Sequence, residues 1–120
     1  MDASVRIYEV SLRDGLQNEA TVVPTEAKLA HLRRLVLAGL RDIEVTSFVR
    51  ARWIPQLADA AEVIRGMGEA LRGVPAAENV RYWALVPNPV GLERALDAGV
   101  SHVATVLSAS ETHNMKNLNR

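Results

Sequence analysis

The sequence predicts an α/β fold built on a parallel sheet, and three observations carry that prediction. Short runs of β-forming residues alternate along the chain with longer stretches of helical apolar spacing. The helical stretches are long enough to carry a strand back to start beside its predecessor, which takes about a dozen residues. The chain has 120 residues, 48% of them apolar, so it is ordinary globular material and one domain's worth at most.

The elements follow in order. Val5 to Val10 (VRIYEV) reads as the first strand. After a polar loop, Pro24 and Thr25 open a helix with Glu26 in its first turn, where the helix dipole favours an anion. Leu29, Leu32, Leu35 and Val36 make its apolar face, and Gly39 sits where a terminating glycine belongs. Asp42 to Thr46 (DIEVT) is the second strand. Pro55 starts a second helix with Leu57, Ala60, Ala61, Ile64 and Met67 on one face, and Gly66, Gly68 and Gly73 end it. Val80 to Val86 (VRYWALV) is the third strand, Val90 to Ala98 a third helix opened by Pro89 and closed by Gly99, and His102 to Leu107 a fourth strand.

Composition excludes several functions. Acidic and basic side chains balance at 14 each, which gives no charge excess to draw nucleic acid or an anionic membrane surface. No window approaches the roughly 18 apolar residues needed to cross a bilayer. The N-terminus lacks the layout of a targeting peptide, and a cytoplasmic setting is expected. With no cysteine there is neither a disulfide nor thiolate chemistry in these residues. Glycine-rich phosphate loops, nucleophile elbows and His-x-x-x-His pairs are lacking too.

Polar residues gather after each strand. Arg13, Asp14, Gln17 and Asn18 follow the first; Glu44 lies inside the second, which leads into Thr46 and Ser47. Asn88 follows the third, and Ser108, Ser110, Glu111 and His113 follow the fourth. A doubly wound sheet and a (β/α)8 barrel both fit the alternation, but only a barrel gathers the carboxyl ends of all its strands around one site. That distribution favours the barrel, although loops are polar in any fold. Glu44, flanked by Ile43 and Val45, faces the barrel interior or its mouth, because burying an unpaired carboxylate is costly. Asp14 can hold a divalent cation through oxygen, and Arg13 can steady a developing enolate oxygen; the plain alternative is a loop ion pair. His31 is expected at the helix surface and His102 is expected to be structural, which leaves His113 as the histidine near the site.

The run R-D-G-L-Q-N-E (Arg13 to Glu19) resembles the opening signature of 3-hydroxy-3-methylglutaryl-CoA lyases, metal-dependent TIM-barrel enzymes. I-E-V-T-S-F-V (Ile43 to Val49) with W-I-P-Q (Trp53 to Gln56), V-P-N (Val86 to Asn88) with Gly91, and the segment Ser108 to Arg120 resemble further blocks of that family in family order. The resemblance implies that residues 1–120 are the N-terminal half of a single TIM-barrel catalytic domain, about its first four β/α units. It implies cleavage of a β-hydroxy acyl-CoA to acetyl-CoA and acetoacetate by metal-assisted retro-Claisen chemistry. Asp14 would bind the cation (magnesium or manganese), Arg13 would stabilise the enolate, and Glu44 would support the site. Gln17 and Ser47 would line the substrate pocket, with Arg50 and Arg52 as candidates for the CoA phosphates.

The family's remaining parts, a His-x-His pair, a further asparagine and a cysteine on a mobile loop, have no counterpart in these residues. The expectation is therefore a chain inactive alone, whose open barrel edges invite self-association. Two other readings are a condensing synthase of the isopropylmalate or homocitrate type and a half-barrel that binds without catalysing.

Overall fold

The structure is a computed structural model describing residues 4–106. Four strands, β1 (Tyr8–Glu9), β2 (Asp42–Ser47), β3 (Arg81–Leu85) and β4 (His102–Ala104), form a parallel sheet in the order β1-β2-β3-β4. Helices α1 (Thr25–Leu37), α2 (Ala60–Ala70) and α3 (Pro89–Ala98) connect them. Each strand lies beside its predecessor, without the reversal of direction that defines a doubly wound sheet. This is the order in which a (β/α)8 barrel is laid down.

The core lies between the sheet and the helices. Ile43, Val45 and Ala84 from the strands pack with Leu32 and Val36 of α1, Ala60 and Ile64 of α2 and Ala95 of α3. The opposite face carries Tyr8, Asp42, Glu44, Arg81, Trp83 and His102, in the two-residue alternation of a pleated sheet.

Element limits differ from the sequence reading where pairing decides them. Only Tyr8–Glu9 of the expected strand Val5–Val10 is paired: Tyr8 is matched to Asp42, the first residue of β2, and the residues before Asp42 belong to the turn that ends α1, which offers residues 5–7 no strand to pair with. The fourth strand is paired over His102–Ala104, and Leu107, its expected end, lies outside the described residues.

The helix expected from Pro55 is split into a short tight turn at Pro55–Leu57 and then α2. Asp59 breaks it: its carboxylate accepts from Lys28 Nζ and Thr25 Oγ1, each at 2.5 Å, so it is held against α1 and does not cap α2. Gly66 and Gly68 do not end α2 but lie within it. At Gly66 an added Cβ would come within 2.6 Å of Leu29 Cδ1, so this glycine marks the close approach of α1 and α2. Gly39 and Gly99 do follow their helices as expected, with φ of 103° and 101°.

Candidate functional site

Immediately after β1 the backbone makes a wide helical turn over Ser11–Gly15, in which the Val10 carbonyl accepts from the N–H groups of Arg13, Asp14 and Gly15 at 3.1, 2.8 and 3.2 Å. Leu12, 1% exposed, pins the turn into the core. The turn therefore holds Arg13 and Asp14 at the carboxyl end of the sheet.

Glu44 is 3% exposed, and both of its oxygens have partners. Oε1 accepts from Arg13 Nε, and Oε2 accepts from the Tyr8 hydroxyl at 2.6 Å. A buried carboxylate is tolerable on those terms. Burial, followed by the hydrogen bond to Glu44 and that group's charge, pushes the Tyr8 phenol well above its usual pKa of 10.0. The register shifts between Glu44 and Thr46, so two residues of β2 span one step of β3. Such bulges re-aim the residues that follow them.

Arg13, with its side chain 17% exposed, also lies 3.4 Å from Asp14 Oδ1 and 3.5 Å from Gln17 Oε1. Arg13, Asp14, Gln17 and Glu44 thus form one group, and Asp14 is the solvent-facing member at 54% side-chain exposure. The loop ion pair expected as the plain alternative exists, but the Asp14 contact is long and the buried partner of Arg13 is Glu44.

Other residues take structural roles. The buried Ser47 donates its hydroxyl to the Leu85 carbonyl at 3.0 Å, joining β2 to β3, and is not among the partners of Arg13. Asn18 donates to the Asp14 carbonyl at 2.8 Å. Asn88 caps α3 by accepting from the Gly91 N–H at 2.8 Å. A Cβ on Gly91 would meet the Phe48 carbonyl at 2.5 Å, which accounts for that glycine in the V-P-N block. His31, expected at the surface, is half-buried and lies 3.0 Å from the Ser11 hydroxyl, because α1 packs against the turn after β1. Ser108, Ser110, Glu111 and His113 lie outside the described residues.

Two contributions were missed in the sequence. One is Tyr8, whose place two residues before Val10, on the same strand face as Arg6, was the available signal. The other is a clamp on the Arg13–Glu19 segment: Gln56 Nε2 donates to the Glu19 carbonyl, and Lys28 Nζ donates to the Gln56 carbonyl, both at 2.6 Å. This gives the W-I-P-Q block a physical purpose. Trp53 of that block lies beneath the Arg50 guanidinium, 5.1 Å from it.

Among the described residues no three His, Cys, Asp or Glu side chains come together as a metal site. Of the Arg13, Asp14, Gln17 and Glu44 group, Asp14 offers the exposed carboxylate, a hard oxygen donor that suits magnesium or manganese as one member of a larger set. The described residues contain no helix long and apolar enough to cross a membrane.

Comparison with known proteins identifies the family. The HMGL-like family matches residues 4–120. A hydroxymethylglutaryl-CoA lyase of Bacillus subtilis is 47% identical over 97% of this chain, and the cytoplasmic 3-hydroxy-3-methylglutaryl-CoA lyase of Rattus norvegicus is 47% identical over 96%. The chain spans only about a third of their length, 36% and 32% respectively. Further relatives from Arabidopsis thaliana and Bos taurus are mitochondrial. Among solved structures, the Bacillus subtilis lyase superposes with a TM-score of 0.84 at 46% identity, covering 97% of this chain and 37% of its own. A lyase from Acinetobacter baumannii, in complex with coenzyme A and 3-methylmalate, gives 0.86 at 38% identity, covering 100% of this chain and 38% of its own.

Proposed function

We propose, from the premise that this chain belongs to the HMGL-like family, that the protein carrying it is a carbon–carbon lyase. It cleaves 3-hydroxy-3-methylglutaryl-CoA, or a close β-hydroxy acyl-CoA, into acetyl-CoA and a β-keto acid. Residues 1–120 supply the first four β/α units of its TIM-barrel catalytic domain, and the setting is the cytoplasm, as in the rat relative.

The observation that carries this reading is the Arg13–Glu44 pair beside the exposed Asp14 at the carboxyl end of the sheet. In the reaction the tertiary hydroxyl gives its proton to a base and becomes the ketone of the β-keto acid as the carbon–carbon bond breaks; the electron pair moves onto the acetyl thioester as an enolate, which takes up a proton to become acetyl-CoA. Arg13 would stabilise that enolate oxygen with its fixed positive charge; its pairing to the buried Glu44, beside a longer 3.4 Å contact to Asp14, supports this role. Gln17, beside Arg13, helps orient the acyl group. Asp14 is the side chain that would hold a divalent cation, which when bound lowers the cost of deprotonating the hydroxyl. The buried Ser47 is proposed to act on the pocket wall through its backbone position, not through its engaged hydroxyl.

The test is direct. The whole protein, incubated with 3-hydroxy-3-methylglutaryl-CoA, should release acetyl-CoA and acetoacetate in equal amounts. Release of neither product, with net condensation of acetyl-CoA and a keto acid instead, would overturn the lyase reading. The 120-residue segment produced alone should be inactive and should self-associate through β1 and β4, the two edge strands of the sheet. A stable monomer in sedimentation would overturn the association.

A further inference from the structure

We propose that Tyr8 is a positioning residue for this reaction, acting on Arg13 through Glu44. The inference rests on the lyase reading and deepens it. Tyr8 is 41% exposed, yet its hydroxyl turns away from solvent and reaches from β1 to the buried carboxylate of Glu44 on the neighbouring strand, 2.6 Å away. That carboxylate is the one that holds Arg13.

Glu44 has two oxygens and one arginine. With Oε2 unbonded, the carboxylate could rotate and offer either oxygen to Arg13, and the guanidinium would lose a defined direction. With Oε2 held by the phenol, Oε1 alone faces Arg13 Nε. The Tyr8 ring is itself set edge-on to Trp83, with centroids 5.8 Å apart, and Trp83 is anchored by its Nε1–H donating to Asp42 Oδ1 at 3.2 Å. Trp83 seats the ring, while the direction of Glu44 and so of Arg13 is set by the phenol's own hydrogen bond. Tyr8 itself is unsuited to giving up a proton near neutral pH, since its surroundings favour the neutral phenol. Its contribution is geometric.

The experiment compares kcat and KM of the whole protein as wild type, Tyr8→Phe, Glu44→Gln and the double variant. Phenylalanine keeps the ring against Trp83 and removes only the hydroxyl. A hydrogen bond to a charged group is worth enough that Tyr8→Phe should lower kcat about tenfold while KM for the acyl-CoA stays within about twofold. In the Glu44→Gln background the same change should have little further effect, because its route is gone. Trp83→Phe, which disturbs the ring packing and leaves the hydroxyl, should cost kcat less than about twofold.

Tyr8→Phe with unchanged kcat overturns the proposal, as does a full, additive loss in the Glu44→Gln background. A loss in Trp83→Phe equal to that in Tyr8→Phe overturns it too, since packing would then explain both. A wild type that cleaves no acyl-CoA removes the lyase reading and this role together. An active wild type with an equally active Tyr8→Phe removes only the role.

Discussion

The two faces of the sheet are built on opposite principles. The face toward the helices is apolar: Ile43, Val45 and Ala84 are each at most 1% exposed and interlock with α1, α2 and α3. The other face carries charge and aromatic rings. On it Asp42 accepts from Arg6, Arg81 and Trp83 at the amino end of the strands, and Glu44 accepts from Tyr8 and Arg13 toward the carboxyl end. Apolar packing is satisfied by shape and tolerates exchange of one hydrocarbon for another. A polar face is satisfied only by particular partners, because each buried charge left alone is costly. One face therefore holds the fold together, while the other arranges chemistry and has no second layer of its own among the described residues.

That division can be tested from the largest effect downward. Arg13→Gln should lower kcat by about 10²–10³, the usual cost of losing a donor to a developing oxyanion, and should lower Tm as well, because it leaves the buried Glu44 carboxylate without its cation. Adding Glu44→Gln, which removes the stranded charge, should recover most of that Tm while kcat stays low; a Tm as low as in the single variant would show that the polar face also carries the fold. Leu32→Ala, on α1, should do the reverse: it should remove about 2–5 kcal/mol of stability in denaturant unfolding and leave kcat intact below the transition. Gly91→Ala sharpens the boundary, because its Cβ would press on the Phe48 carbonyl just beyond β2. It should cost about 1–3 kcal/mol of stability, with KM moving more than kcat if the loop end of β2 shifts.

The smallest effect is alkaline. The folded pKa of Tyr8 lies above its unfolded value of 10.0, so its contribution to stability is complete below that value. The contribution fades as pH rises from there through the folded pKa, and Tyr8→Phe should flatten the decline. Melting curves between pH 9 and pH 11 would check the sign, since they reach about a unit to either side of the free phenol's pKa.

Much of this was legible in the residues. The alternation of strand and helix gave the parallel sheet, and Glu44 could be assigned to the interior because a carboxylate between Ile43 and Val45 needs a reason to be there. Arg13, Asp14 and Gln17 were gathered by their closeness in the chain. What could not be read was register. That Tyr8 stands opposite Asp42, and so reaches Glu44, depends on how two strands 34 residues apart slide past one another. Local pattern does not contain that offset. The same holds for Asp59, whose pull toward Lys28 and Thr25 breaks a helix that spacing alone would have run on from Pro55. Asn88 shows the converse: a residue in a site-like position that its own neighbours explain as a helix cap.

The order of the strands has a consequence for how such a chain comes into being. Because β1, β2, β3 and β4 pair in the sequence in which they are written, every new strand finds its dock already in place as it leaves the ribosome. The sheet can grow by accretion, each closure spanning only one intervening helix and its loops, which keeps the entropy of loop closure small at every step. A doubly wound sheet must at some point send a later strand back to the far side of the first. Here the nascent sheet grows at one margin while β1 stays open at the other, and both are surfaces a chaperone would have to shield until later units arrive.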